Sequence, residues 1–304
     1  MTHRLASLTR SILVALLALS ALAGCSSVRI GYNHLEGLAE WTADRYFDLD
    51  EEQTQAFRTR FRRLHQWHRY EQLPDYANFL AQAKARFERG LTTEDAHWFI
   101  AGVQQRYTIL VEQGADDAAA ILLTITPAQL EHLQARWDKV NQRFASEFRI
   151  DSSLADQRSA TAQRTIERSR EWFGSLSVAQ EELITAGVDR MIMIGPLRQQ
   201  DRIRRQREFL ALMQLRGNPE VFRKTLKTWL INWQAGRSPE YQRIIEMSLN
   251  ERITLALEID RSLTPHQRSL AAGRLQNYID DFRSLSRHPG AQAATQQEPT
   301  SSKP

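Results

Sequence analysis

A single cysteine, Cys25, stands in 304 residues, so the chain can form no internal disulfide and offers no thiolate pair for a metal. Whatever folds must be held by its core alone. Alternation of apolar and polar residues at period two is missing, which argues against β-strands. After residue 23 no apolar run approaches the roughly 20 residues of a membrane-spanning helix. Charge of one sign is scarce: 40 basic residues meet 36 acidic ones, a net +4, and this near balance gives no reason to expect a nucleic-acid partner. A Gly-rich phosphate loop, a Gly-x-Ser-x-Gly elbow and a His-Glu-x-x-His pair are all absent. No cofactor and no metal is expected, and no residue set identifies a reaction.

What is present begins at the N-terminus. MTHRLASLTR carries Arg4 and Arg10 and no acid, and residues 11–23 are apolar apart from Ser11 and Ser20. A basic stretch followed by a short apolar one has the form of a signal peptide. The run ends in Leu22-Ala23-Gly24-Cys25, which resembles the lipobox of bacterial lipoproteins. The resemblance implies a diacylglycerol on the Cys25 sulfur, cleavage after Gly24, and acylation of the new amino group by a palmitate-like chain. Each buried CH₂ contributes about 0.8 kcal/mol, so two or three chains make a lasting anchor. Ser26 follows where an Asp would resemble the inner-membrane retention pattern, so the expected location is the periplasmic face of the outer membrane. The expected organisation is a leader at 1–24, an anchor and short linker at 25–32, a helical periplasmic domain at 33–285, and a disordered polar tail at 286–304.

The domain reads as all-α, an elongated or curved array of about ten to twelve helices with no sheet. Phe57, Phe61, Leu64 and His68 trace one helical stripe. Phe99, Val103 and Leu110, with Tyr107 among them, trace a second. Leu130, Leu133, Trp137, Val140 and Phe144 form the cleanest, and Leu270, Leu275, Tyr278 and Phe282 the last. Gly90, Gly114, Gly217 and Gly236 are expected as helix stops, and Pro74, Pro127, Pro219, Pro239 and Pro265 as first-turn residues. Gly195-Pro196 is expected to break the segment 178–216. Two lobes, 31–150 and 177–285, are expected on either side of a polar helix over 151–175.

Five helix starts share one plan: Leu49-Asp50…Gln53, Leu91-Thr92…Asp95, Ile125-Thr126…Gln129, Leu176-Ser177…Gln180 and Leu263-Thr264…Gln267. In each, an aliphatic residue precedes an Asp, Thr or Ser cap, and Gln or Asp stands three residues later. That is a capping box with a hydrophobic staple. The pattern also resembles the Leu-Thr-x-x-Gln motif of the small periplasmic chaperones Spy and CpxP. Leu263–Gln267 matches it in full, and Ile125–Gln129 differs only in its aliphatic residue.

Four groups bear on chemistry. His65 and His68 share a helix face at zinc-compatible spacing, but the fitting arrangement is His68 at a stripe edge and His65 in solvent. Glu36, Glu40, Asp44 and Asp48 recur every four residues beside Trp41, Tyr46 and Phe47. They form either a partner site or a stripe covered by the arginines of 58–63. The candidate partner patch is Tyr32, Trp41, Asp44, Arg45, Tyr46 and Asp48. Arg198, Arg202, Arg204, Arg205 and Arg207 make a basic segment that suits either anionic groups or solvent. Trp229 and Trp233, at i and i+4, are expected as a core pair.

The lipobox, Tyr32-Asn33, Trp41, Asp44, Tyr46 and the Asp48-Leu49…Gln53 box together resemble an uncharacterised family of Gram-negative lipoproteins carrying a domain of unknown function. That resemblance implies location and helical fold and lends no catalytic residue. The leading expectation is a non-enzymatic binding or scaffold protein, tied to the membrane by its lipid and holding an envelope protein or polymer. A holder of unfolded clients, and a hydrolase assembled from distant helices, are the alternatives.

Overall fold

The computed structural model describes residues 27–287. The leader, Cys25 and the tail from residue 288 lie outside the described residues. Among these residues there is no strand, and twelve α-helices follow one another. They are α1 (Ser27–Asn33), α2 (Leu35–Phe47), α3 (Glu51–Trp67), α4 (Leu73–Glu88), α5 (Thr93–Leu122) and α6 (Pro127–Glu147), then α7 (Leu154–Phe173), α8 (Val178–Asp189), α9 (Gly195–Met213), α10 (Pro219–Ile231), α11 (Pro239–Ser262) and α12 (Pro265–Leu285). The all-α expectation holds. Residues 27–32, expected within a linker, are already helical. No described helix is long and apolar enough to cross a membrane.

All five capping boxes form, each with the cap side chain accepting from the N3 amide and the N3 side chain reaching back. Each such cap contributes about 1 kcal/mol. Pro127, Pro219, Pro239 and Pro265 open their helices, as does Pro74 at the second position of α4. Because Pro74 has no N–H to donate, α3 does not run straight into α4. A π-helical turn over His68–Gln72 intervenes, with the Leu73 amide bonded to His68 O. Gly90 ends α4 at positive φ, whereas Gly236, also at positive φ, lies in the turn after α10, four residues beyond its C-cap Asn232. Gly114 does not stop a helix: it lies inside the 30-residue α5, where Leu64 of α3 packs so close that an added Cβ would stand 3.3 Å from it. The break at Gly195-Pro196 is present, since α8 ends at Asp189 and α9 starts at Gly195.

Two buried clusters form the core. One joins Ala119, Leu130, Leu133, Phe209, Met213, Phe222 and Leu226, with Tyr46, Phe47 and Trp229 against its edge. The other joins Ala162, Ile184, Val188, Met191 and Leu255. Each fully buried Phe or Leu contributes about 2–3 kcal/mol of transfer free energy. The packing does not divide the chain by sequence half. α9 and α10 complete the first cluster with α5 and α6, and α4 runs along α12.

A cavity among five helices, and where the candidate residues lie

An apolar recess of about 500 Å³ lies where α4, α5, α7, α11 and α12 converge. Its existence follows from small side chains. Ala83, Ala96, Ala256 and Ala271, from four different helices, face the same space and fill little of it. The aromatic walls are Phe87, Trp98, Phe99, Trp172 and Phe173. Phe87 and Phe173 stack at 6.5 Å, and Trp98 lies 4.8 Å from Phe79.

Asp95 and Asp260, the two acids of the recess, are both paired with arginines. The Thr92 box is the one that carries Asp at its fourth position, and Asp95 therefore meets arginines as well as its own cap. Arg86 donates at 2.7 Å and Arg89 at 2.8 and 3.0 Å. The bond from Arg86, joined by Arg89 and Thr92 against the opposing effect of burial, holds the Asp95 carboxyl well below the usual carboxylate range. On the other side Asp260 is buried and accepts from the Leu91 amide at 3.0 Å and from Arg268 at 2.8 Å. Arg268 also donates to Phe87 O and Asp260 O, tying the ends of α4 and α11 together. Arg86 and Arg268 lie against the rings of Trp98 and Phe87, at 4.2 and 5.0 Å. With these charges satisfied, the surface left facing the recess is chiefly apolar, with Arg168 of α7 at its edge.

The apolar stripes do not all face inward. Phe99 and Val103 of α5 are exposed at 41% and 48%, and Tyr107 at 37% continues the row while donating to Leu230 O. Phe99 both lines the recess and begins this row. Phe57, Phe61 and Leu64 line a smaller apolar recess of about 300 Å³ under α2 and α5.

The six residues of the candidate patch fall in four surroundings. Tyr32 sits 4.7 Å from the His65 ring, shares a hydrogen bond with His68 Nδ1 at 2.8 Å, and lies under Arg69. Trp41 is 57% exposed with the Arg45 guanidinium 4.8 Å above it, and Asp44 is exposed nearby. Tyr46 packs on the first core cluster. Asp48, at φ 51°, is the left-handed residue that ends α2. The acidic stripe is covered in part: Arg58 grips Glu40 through two bonds of 2.5 and 2.6 Å, and Arg62 and His65 reach Glu36 at 3.4 and 3.2 Å.

His65, expected in solvent, lies inside, while His68, expected at a stripe edge, is part-buried. His65 is buried at 5% exposure, because α2 packs over that face of α3. Burial, and secondarily the nearby His65, push His68 down to about 4. No group of three or more metal-ligating side chains occurs among the described residues. In the basic segment Arg204 binds Asp201 and Glu208, Arg205 stacks 3.6 Å over Trp229, and Arg202 bonds Asn141. Trp229 borders the core, whereas Trp233 is 38% exposed beneath Arg237.

Sequence reasoning missed the five-helix recess. Its one local signal is the Asp in place of Gln in the Thr92 box; the convergent alanines come from segments far apart in the chain. No curated protein and no solved structure matches the chain. Over residues 45–242 it matches a family of unknown function, DUF6279, and the chain belongs to that family.

Proposed function

We propose that the protein is a lipid-anchored binding protein of the outer membrane, facing the periplasm and acting without catalysis. Cys25 tethers it, and the helical body holds an apolar or amphipathic envelope component in the recess between α4, α5, α7, α11 and α12. The recess carries this reading. Its volume falls within the range of small-molecule sites, its walls are chiefly apolar and aromatic, and Asp95 and Asp260 beside it are paired with arginines. Apolar walls of this extent are stabilised by an occupant that removes them from water. The lipobox supports the anchor.

The test uses full-length protein purified from membranes. Organic extraction and mass spectrometry are expected to find an amphiphile bound to the wild type and at least halved in Ala256→Trp, which fills the recess from an exposed position on α11. An empty wild type, or equal loading of both forms, overturns the reading. Mass spectrometry of the N-terminal peptide is expected to find Cys25 diacylglycerated; a bare residue 25 overturns the anchor.

One observation favours the client-holding alternative, the exposed row Phe99, Val103 and Tyr107. On that reading Val103→Glu abolishes suppression of aggregation at near-stoichiometric ratio and leaves the bound amphiphile in place.

A further inference from the structure

We infer that the ligand is a single-chain anionic amphiphile, its alkyl chain in the apolar recess and its phosphate or carboxylate head in an adjoining arginine-lined cavity. The inference rests on the binding reading above and specifies its ligand.

A second cavity, polar and about 770 Å³, lies against a neighbouring face of α7. The two spaces share Arg168 and Ser169 on their walls, so they adjoin at one turn of α7. One space is apolar and the other polar, which is the division a head-and-chain molecule requires.

The polar cavity is lined by Arg164, Arg168, Arg198 and Arg252. Arg164 is engaged, donating to Glu147 O and Thr161 Oγ1. Arg168, Arg198 and Arg252 are not within ion-pairing distance of any carboxylate among the described residues. This sets them apart from Arg86, Arg204, Arg237 and Arg268, each of which holds a carboxylate. The cavity also holds Glu147, Glu167 and Glu171. Glu167 accepts from Gln163, and Glu251 beside Arg252 is turned to the Ile192 amide at 2.9 Å. Desolvation by the surrounding protein first, then repulsion from Arg198, lower the pKa of Arg252 against the opposing effect of Glu251, and Arg198 and Arg252 line the same cavity.

The start of α9 opens on the same space. Ile194 and Gly195 line it, Ile194 offers no side-chain cap, and Pro196 follows. The Gly195 and Leu197 amides are thus uncapped by any side chain, and the positive end of a 19-residue helix points toward the region of Arg198. Uncapped amides beside unpaired guanidinium groups suit a phosphate or carboxylate.

Native mass spectrometry of the full-length protein in phosphatidylcholine nanodiscs tests this with three probes of equal chain length. These are palmitoyl lysophosphatidate, palmitate and the neutral monopalmitoylglycerol. The two anionic probes are expected to bind one per chain at least tenfold more tightly than the neutral one. Arg198→Gln with Arg252→Gln is expected to erase that preference while the neutral probe binds as before. Neither arginine is ion-paired and both reach solvent, so circular dichroism is expected to report an unchanged fold. Tighter binding of lysophosphatidate points to phospholipid as the source, and tighter binding of palmitate to free fatty acid; either supports the inference. Equal binding of all three probes, indifferent to the arginines, overturns the head site and leaves the apolar recess standing. Failure of every probe to bind the wild type overturns both.

Discussion

Gln53 and Gln129, 76 positions apart, each donate to the other's side-chain oxygen inside the core, at 3.1 and 2.6 Å. Each also donates to a carbonyl two residues before the other's helix cap: Gln53 to Thr124 O and Gln129 to Asp48 O. Their oxygens accept from the amides of their own caps, Asp50 and Thr126. Gln180 and Gln267 repeat the arrangement, with Ser262 O and Ser175 O as the carbonyl partners. Four of the five capping boxes therefore do more than start helices. They clasp helix starts in pairs, α3 to α6 and α8 to α12, through amides with both hydrogens and the oxygen occupied.

Gln129→Ala is expected to cost about 3 kcal/mol, since it strips the buried Gln53 amide and the part-buried Asp48 carbonyl of partners and weakens one cap. In urea titrations, Gln53→Ala is expected to add much less on the Gln129→Ala background than alone. Gln180→Ala, in the other clasp, is expected to add in full. Additivity within about 0.5 kcal/mol for both combinations would show that the pairs carry no coupling.

Two glycines inside helices are expected to respond with opposite sign. A Cβ on Gly102 would run into the ring of Phe79, which stacks with Trp98 and Phe99 beside the recess. Phe79 must move, so Gly102→Ala is expected to destabilise by about 1–3 kcal/mol. Gly273 in α12 has nothing within 4 Å of that position. Gly273→Ala is expected to stabilise by about 1 kcal/mol through helix propensity. Paired melting curves decide, and a loss of stability in Gly273→Ala counts against the packing described.

Helix starts were legible because their determinants are local. A cap, its N3 partner and a first-turn proline lie within five residues, and all five boxes form as the spacing predicts. What lay beyond the sequence depends on which helices meet. Phe99 and Val103 have the spacing of a core stripe, yet both are left more than 40% exposed. Gly114 reads as a stop, yet the side chain of Leu64, 50 residues earlier, takes the space beside it. The recess is invisible for the same reason: Ala83, Ala96, Ala256 and Ala271 signify nothing until four helices bring them to one place.

Acid is expected to weaken the junction between α1, α3 and α4 through His68. Its ring contacts Tyr32, Trp67 and Tyr76. Burial and the neighbouring His65 lower its pKa from 6.5 to about 4, so the folded protein holds it neutral while the unfolded chain takes up a proton. The stabilisation is therefore complete above about pH 6.5 and is lost as pH falls toward about 4. His65, Arg69, Tyr32 and Tyr76 are the other titratable or charged groups gathered at this site. Urea midpoints at pH 7 and pH 5 are expected to differ less in His68→Asn than in the wild type. An unchanged difference would mean that His68 is not the titrating group.

The Trp41 face can be separated from the core beneath it. Trp41 is 57% exposed and its contact is the Arg45 cation, so Trp41→Ala is expected to change stability by less than about 0.5 kcal/mol. Tyr46, five residues on, packs against the first core cluster, and Tyr46→Ala is expected to cost about 2–4 kcal/mol. A folded Trp41→Ala or Asp44→Ala protein that fails to complement a deletion strain places a partner on this face. Full complementation by both removes the face from the binding surface and leaves the α5 row and the recess as the places where a partner is held. Tyr46→Ala answers neither way in cells, because its loss of stability would lower abundance; its value is as the calibration against which the Trp41 measurement is read.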